Sequence, residues 1–191
     1  MQFHVNGFEV GDPEIRPADK RAVGRLAVLP DELDVLVVGS GPAGLVLGAQ
    51  LSAFPDIVTR VVERRSGPLT LGQADGIAVR SVEMFDAFGF SGKLCREAYW
   101  VNETVFWRPD PEDRTRITRT GRIRDTEDGL SEFPHLIVNQ ARIHDYLIET
   151  MRHSPSRLEV DHGWECTGLE VAPGGEHPVG VMLRAADGAI R

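Results

Sequence analysis

Val35-Leu36-Val37-Val38-Gly39-Ser40-Gly41-Pro42-Ala43-Gly44 is the stretch that decides the fold. Its first four residues are a β-branched-rich run too apolar for a half-exposed strand, which predicts a central parallel strand covered on both faces. Pro42 opens a run to Phe54 in which Leu45, Val46, Leu47, Ala49, Leu51 and Ala53 leave little polar surface beyond Gln50 and Ser52, so a buried helix is expected. Pro55-Asp56 breaks that helix, and Val58 to Glu63 reads as a second apolar strand. Residues 34 to 63 therefore make one βαβ unit with parallel pairing.

Between strand and helix stands G-x-G-x-x-G, where a dinucleotide pyrophosphate site requires it. Gly39 permits the tight turn, Gly41 lets the backbone approach a pyrophosphate with no side chain between, and Gly44 lets the helix pack closely on the strand. The helix N-terminus, with its unpaired N–H groups and dipole, then faces the anion. Glu63 follows Gly44 by 19 residues and ends the second strand, the position from which an acid accepts hydrogen bonds from an adenosine ribose. These residues leave open which dinucleotide is bound. A P-loop is excluded because no G-K-[ST] follows the glycines. A disulfide-using flavin reductase is disfavoured because Cys95 and Cys166, the two cysteines, lie far apart.

Working outward, residues 66 to 78 form a loop rich in glycine and small polar groups, and a helix runs from about Val79 to Phe88 with Gly89 as its C-cap. In residues 99 to 124, Tyr99, Val101, Glu103, Val105 and Trp107 alternate with their neighbours. Arg114, Arg116, Arg119, Arg122 and Arg124 punctuate a second extended stretch. This pattern predicts antiparallel strands outside the parallel sheet, with the arginines on a solvated face. Leu136-Ile137-Val138 gives another buried strand, and Gln140 to His153 a helix with Ile143, Tyr146, Leu147, Thr150 and Met151 on one face. Short strands follow at 158–160, 168–171 and 179–184, with Asp187-Gly188 a hairpin signal. The turn leaves only Ala189, Ile190 and Arg191 for the next strand, so truncation is expected. Residues 1 to 32, with Pro13, Pro17 and Pro30 among mixed charges, read as a surface arm of no assigned role.

The chain has 191 residues, 41% of them hydrophobic, enough for one substantial core. A formal net charge of −8 argues against a nucleic-acid or anionic-membrane partner, both of which need a basic face, and favours a small ligand. No apolar run reaches transmembrane length, and Asp12, Glu14, Arg16 and Asp19 interrupt any signal peptide, so a cytoplasmic location is expected. His135, His144, His153 and His162 recur every nine residues. At roughly 100° per residue, His144 and His153 point to opposite sides of one helix, and no zinc spacing accompanies them. No metal is expected.

Two further segments carry a family resemblance: Leu71-Gly72-Gln73-Ala74-Asp75-Gly76-Ile77-Ala78-Val79-Arg80-Ser81-Val82-Glu83-Met84-Phe85, and Gly129-Leu130-Ser131-Glu132-Phe133-Pro134-His135 running into Val138-Asn139-Gln140-Ala141-Arg142. Both resemble the single-component flavoprotein aromatic hydroxylases, in particular the branches acting on 3-hydroxybenzoate and on phenol. The likeness spans about Asp34 to Ser156. It implies an α/β fold: a Rossmann-like FAD-binding domain with a parallel sheet, p-hydroxybenzoate-hydroxylase-like, plus the start of an antiparallel substrate-domain sheet. The domain layout it implies is an arm over 1–32 and an FAD-binding domain over 33–191, with inserted antiparallel strands at about 99–124.

The activity implied is that of a monooxygenase taking a hydride from NADPH, using molecular oxygen and hydroxylating a phenolic ring. The substrate is 3-hydroxybenzoate, giving 3,4-dihydroxybenzoate, with phenol 2-hydroxylation as the alternative. Asp75 matches the carboxylate that contacts the phenolic hydroxyl or its tyrosine partner and is the acid/base element; from the residues alone it would be a solvated turn residue. His135 matches a position near the substrate carboxylate, where a satisfied core histidine is the plain alternative. Arg64, Gln73, Arg80, Gln140 and Arg142 join Gly39, Gly41, Pro42, Ala43, Gly44 and Glu63 as expected FAD contacts, although the arginines could equally serve in surface ion pairs. Family members continue well beyond this length, so the chain is expected to be inactive alone, and the resemblance is compatible with a homodimer at full length. A non-catalytic FAD-binding module and an NAD-dependent dehydrogenase, which shares the glycine turn and the acid, remain the readings from other classes.

Overall fold

The computed structural model describes residues 12, 14–22 and 28–190, together with two short strands; the rest of the expected N-terminal arm lies outside the described residues. The elements in chain order are β1 (Phe3–His4), β2 (Gly7–Phe8), β3 (Val35–Val38), α1 (Pro42–Leu51) and β4 (Thr59–Glu63). Then come β5 (Gly76–Ile77), α2 (Val79–Ala87), α3 (Ser91–Glu97), β6 (Tyr99–Val101), β7 (Glu103–Pro109), β8 (Ile117–Arg124) and β9 (His135–Ile137). The chain closes with α4 (Gln140–His153), β10 (Val160–His162), β11 (Trp164–Val171) and β12 (Val179–Ala185). Packing divides the chain into two units, Met1–Thr70 with Ile143–Arg191, and Leu71–Arg142.

The first unit is built on a parallel sheet in the order β10-β4-β3, with Val35 opposite Thr59 and Val160 opposite Val61. The βαβ unit forms as its sequence predicts, but the middle strand is β4, not β3. Val61 and Val62 of β4 are fully buried, whereas Val38 of β3 is 56% exposed and β3 has no partner on its outer edge among the described residues. Alternate residues of a strand face opposite sides, and β4 is covered on both. A β-carbon at Gly48 of α1 would meet Met151 Sδ of α4 at 3.1 Å and Val61 Cγ2 at 3.3 Å, which locates one cover. Val62 packs with Leu29 and Leu183 on the other side, backed by Leu36, Trp164, Cys166 and Val181. Arg60 locks β4 to β10 through two hydrogen bonds to Asp161, Nε to Oδ2 at 2.7 Å and Nη2 to Oδ1 at 2.6 Å. Such a fork is specific in geometry as well as energy.

Three expectations need correction here. The α1 helix is covered on one face only: Leu45, Gly48 and Ala49 are buried, Leu47 is exposed, and Ser52, expected at the surface, is buried with its hydroxyl donating to the Ala49 carbonyl at 2.7 Å. An apolar residue on every side of a helix does not specify which side meets the core. Leu29 belongs to the stretch read as a surface arm, yet it is a core residue. The short strand expected from Leu158 begins at Val160; Leu158 itself is buried just ahead of it. Part of the arm is tied down by backbone bonds, Arg16 N–H to the His153 carbonyl and Asp19 N–H to the Pro155 carbonyl, both at 3.0 Å.

The second unit holds an antiparallel sheet in the order β5-β9-β6 and a β7–β8 hairpin. Leu136 of β9, Val82 and Phe85 of α2, Phe90, and Leu94 of α3 form its interior, with the Phe85 and Phe90 rings stacked at 4.9 Å. The α2 helix ends as its sequence predicts: Gly89 takes φ +86°, a left-handed conformation that a side chain would disfavour. No sequence signal called for α3, which is only seven residues long. The arginines of β8 and the preceding turn are exposed, as expected for a solvated face, and Arg122 pairs across the hairpin with Glu103.

Candidate functional site

In the first unit the end of β3 turns sharply into α1. Gly39 sits at φ +96°, and its N–H donates to the Val62 carbonyl at 2.8 Å. A β-carbon on Gly44 would fall 2.0 Å from the Gly39 carbonyl oxygen, so α1 can approach this closely only without a side chain there. Gly41 differs: among the described residues nothing lies within 4 Å of where its β-carbon would be, and its φ of −69° suits any residue. No side chain caps the start of α1, and its first turn carries Pro42 and no acid. The leading amides of this helix are thus not answered by a capping side chain, the condition under which a helix start favours an anion. Pro42 and Ala43 are exposed.

Glu63, at the end of β4, is 6% exposed and already engaged. Its Oε2 accepts from the Ser40 N–H at 2.8 Å, the Ser40 hydroxyl at 3.1 Å and Arg65 Nη2 at 3.2 Å. Its Oε1 accepts from the Arg65 N–H and Nε, both at 3.0 Å. Burial alone would push this carboxyl up, but the bonds from Arg65 and Ser40 outweigh it and hold its pKa at about 2. Ser40 and Arg65, which sequence reading passes over, make the acid a clamp on the glycine turn. The sequence hint was their nearness to Gly39 and Glu63, one and two residues away. Arg64 is exposed and lines a cavity of about 350 Å³ with Gly163, Glu165 and Arg184. Close to the turn, His144 of α4 is 2% exposed, and neither ring nitrogen has a hydrogen-bond partner of good geometry among the described residues. Burial first, then Arg65 and more weakly His162, hold its pKa low, against opposing pulls from Asp145 and the Ser40 backbone.

In the second unit the loop before β5 lies along the start of α4. Asn139 caps that helix, its Oδ1 accepting from the Ala141 N–H at 2.8 Å, and Gln140 Oε1 accepts from the Gln73 N–H at 2.8 Å. The pair Gln73 and Gln140, expected at the flavin, is thus brought together by a direct bond. Arg142 forks onto Glu97, Nε to Oε2 at 2.6 Å and Nη2 to Oε1 at 2.8 Å. Arg80 is more exposed and, among the described residues, reaches Glu83 alone, one turn along α2.

Asp75 is exposed, and its carbonyl accepts from the Val138 N–H at 2.8 Å, which ties the loop to the end of β9. Its carboxylate has no hydrogen-bond or ion-pair partner among the described residues. His135 opens β9, and its Nδ1 lies 2.8 Å from Asp125 Oδ2. Its Nε2 sits 3.4 Å from where a β-carbon on Gly76 would be, so the imidazole occupies space beside the residue next to Asp75. Asp125 was not singled out from the sequence.

Strand, tight glycine turn, helix with an uncapped start, and parallel second strand ending in an acid define a dinucleotide-binding α/β unit. The chain belongs to the FAD binding domain family, whose model matches residues 32–189. It is 53% identical over 99% of its length to a 3-hydroxybenzoate 4-monooxygenase of Comamonas testosteroni, of which it covers 30%. A phenol 2-monooxygenase of Aspergillus fumigatus is 28% identical over 68% of the chain, which covers 22% of that relative. Among solved structures, the flavin-dependent monooxygenase PieE, in complex with FAD and substrate, matches with a TM-score of 0.66 and 22% identity over 85% of this chain and 29% of that one. The chain therefore spans less than a third of each of these three proteins. Among the described residues no helix is long and apolar enough to cross a membrane.

Proposed function

We propose that this chain is the flavin-binding part of an NADPH-dependent monooxygenase that hydroxylates 3-hydroxybenzoate to 3,4-dihydroxybenzoate. The observation that carries the proposal is the 53% identity with a 3-hydroxybenzoate 4-monooxygenase, which extends over 99% of the chain and so includes both the glycine turn and the segments around Asp75 and His135. The phenol-hydroxylating relative is far less similar.

The residues fit FAD. The uncapped start of α1 and the open space at Gly41 supply a cradle for a pyrophosphate, with Gly39 and Gly44 holding the turn in shape. Glu63 and Ser40 fix the strand end where a ribose would lie; for Glu63 to accept from that ribose, Arg65 must yield one of its bonds. The flavin supplies the redox chemistry with NADPH and oxygen, and the chain supplies binding, orientation and proton handling. Asp75, with its carboxylate open, takes the phenolic proton, directly or through a hydroxyl partner, which makes the ring electron-rich where it is to be oxygenated. His135 receives the ring carboxylate.

The test is to incubate the full-length protein with FAD, NADPH, oxygen and either 3-hydroxybenzoate or phenol. Stoichiometric 3,4-dihydroxybenzoate with NADPH oxidation coupled to it is the expected result. Coupled product from phenol with none from 3-hydroxybenzoate would remove the carboxylate role of His135 and leave the FAD reading standing.

A further inference from the structure

We infer that Asp125 is a positioning residue: it fixes the ring of His135 so that Nε2 is the one imidazole atom offered to the carboxylate of the aromatic substrate. This rests on the proposed role of His135, and it adds a residue and an atom that the reading did not contain. An ionised carboxylate only accepts hydrogen bonds, so the 2.8 Å contact from Asp125 Oδ2 to His135 Nδ1 places the proton on Nδ1. Nε2 is then the remaining ring nitrogen, and it faces the side-chain-free surface of Gly76.

The dyad is held from several directions. Asp125 follows the end of β8, its N–H donates to the Asn102 carbonyl at 3.0 Å, and its second oxygen lies 3.4 Å from the Thr104 hydroxyl of β7. His135 is fixed by β9, where it pairs with Val101 of β6. Both side chains are partly covered, Asp125 at 18% and His135 at 31% exposure, so the pair is screened less than one on an open surface. With Nδ1–H directed at Asp125, Nε2 donates to a substrate carboxylate when the ring carries a proton on both nitrogens, and the Asp125 charge balances that cation. Without Asp125 the ring can rotate and exchange the two nitrogens, and the donor is no longer held in place. The dyad thus favours a phenol bearing a ring carboxylate over an uncharged one.

The experiment uses the full-length hydroxylase and compares 3-hydroxybenzoate with 3-hydroxybenzyl alcohol, its uncharged analogue. D125N should raise KM for 3-hydroxybenzoate about tenfold or more, which is about 1.4 kcal/mol. It should leave kcat within about twofold and KM for the alcohol unchanged, and D125E should recover part of the loss. Gly76→Ala, which sets a methyl against Nε2 without touching Asp125, should cause the same selective loss and keeps the test alive should D125N fail to retain flavin. The double variant D125N/H135Q should be no worse than H135Q alone. If D125N weakens both substrates equally, or adds its full effect to that of H135Q, or if G76A leaves KM for 3-hydroxybenzoate unchanged while H135Q raises it, this inference fails and the role of His135 survives. If H135Q itself leaves KM unaltered, the reading of His135 falls and the inference falls with it.

Discussion

The two units present acids in opposite conditions. Glu63 is buried, accepts five hydrogen bonds from Ser40 and Arg65, and keeps its charge down to a pH of about 2. Asp75 stands exposed at the head of β5 with no partner for its carboxylate among the described residues, although its backbone is tied to β9. A carboxylate saturated by the protein shapes a binding surface; a carboxylate left open on a fixed backbone is available to something that arrives. The first unit thus invests its polar groups in the geometry of a turn, and the second keeps some in reserve.

The sharpest way to break this contrast is at the turn. Gly44→Ala sets a methyl 2.0 Å from the Gly39 carbonyl, so α1 or the turn must shift, and such overpacking costs about 3 kcal/mol or more here. The full-length protein should lose bound flavin and unfold at markedly lower denaturant, read by flavin absorbance and circular dichroism. Unchanged flavin content would mean that the helix does not need its close approach. Asp75→Asn should do the reverse: flavin content and denaturation midpoint unchanged, and hydroxylation slowed by about 10²- to 10⁴-fold, the usual worth of a positioned proton acceptor. Equal turnover by the variant at saturating substrate would show that the open carboxylate is a loop residue and nothing more.

Glu63→Gln comes next in size. It preserves shape but removes the charge that five bonds are organised around, and should destabilise by about 2 kcal/mol. The folded carboxyl sits at about 2 against an ordinary value of 4.5, so the unfolded chain binds more protons in that interval. The stabilisation is complete above pH about 4.5 and is lost as the pH falls toward 2. Denaturation midpoints measured between pH 6 and 3 should fall more steeply for the parent than for the variant; parallel curves would mean that the clamp contributes nothing.

The first unit was legible in the sequence where the backbone itself does the work. A tight turn needs Gly39 and a close helix needs Gly44, so spacing alone announces them. What spacing could not reveal was which strand ends up central. By residue type Val35–Val38 is the more apolar strand, since Thr59–Glu63 carries Thr59, Arg60 and Glu63, yet the choice depends on Leu29, Leu183 and Met151 arriving from distant segments to cover β4. The second unit was less legible for a related reason. Asp125 joins His135 because the loop of residues 126–134 turns back between the end of β8 and the start of β9, and a pairing made by such a turn leaves no periodic trace. Ser40 escaped notice because its bonds to Glu63 depend on the bend between β3 and α1, and Arg65 because its N–H and side chain turn back onto a residue two positions earlier, a local contact without a periodic signal.

The smallest expected effect separates the two meanings of a glycine within the same turn. Gly41 has an ordinary backbone conformation, and a methyl added to it would touch nothing among the described residues. If the residue matters only to the fold, Gly41→Ala is silent everywhere. If it matters because a pyrophosphate lies against the start of α1, the protein should keep its denaturation midpoint within about 0.5 kcal/mol. FAD should then bind about tenfold more weakly, a loss of about 1.4 kcal/mol. Titration of the apoprotein with FAD, followed by flavin fluorescence, decides between them. Tight uptake by the variant would place the pyrophosphate elsewhere and leave Gly39 and Gly44 as architecture, whereas weakened uptake with an unmoved midpoint would assign Gly41 to the ligand.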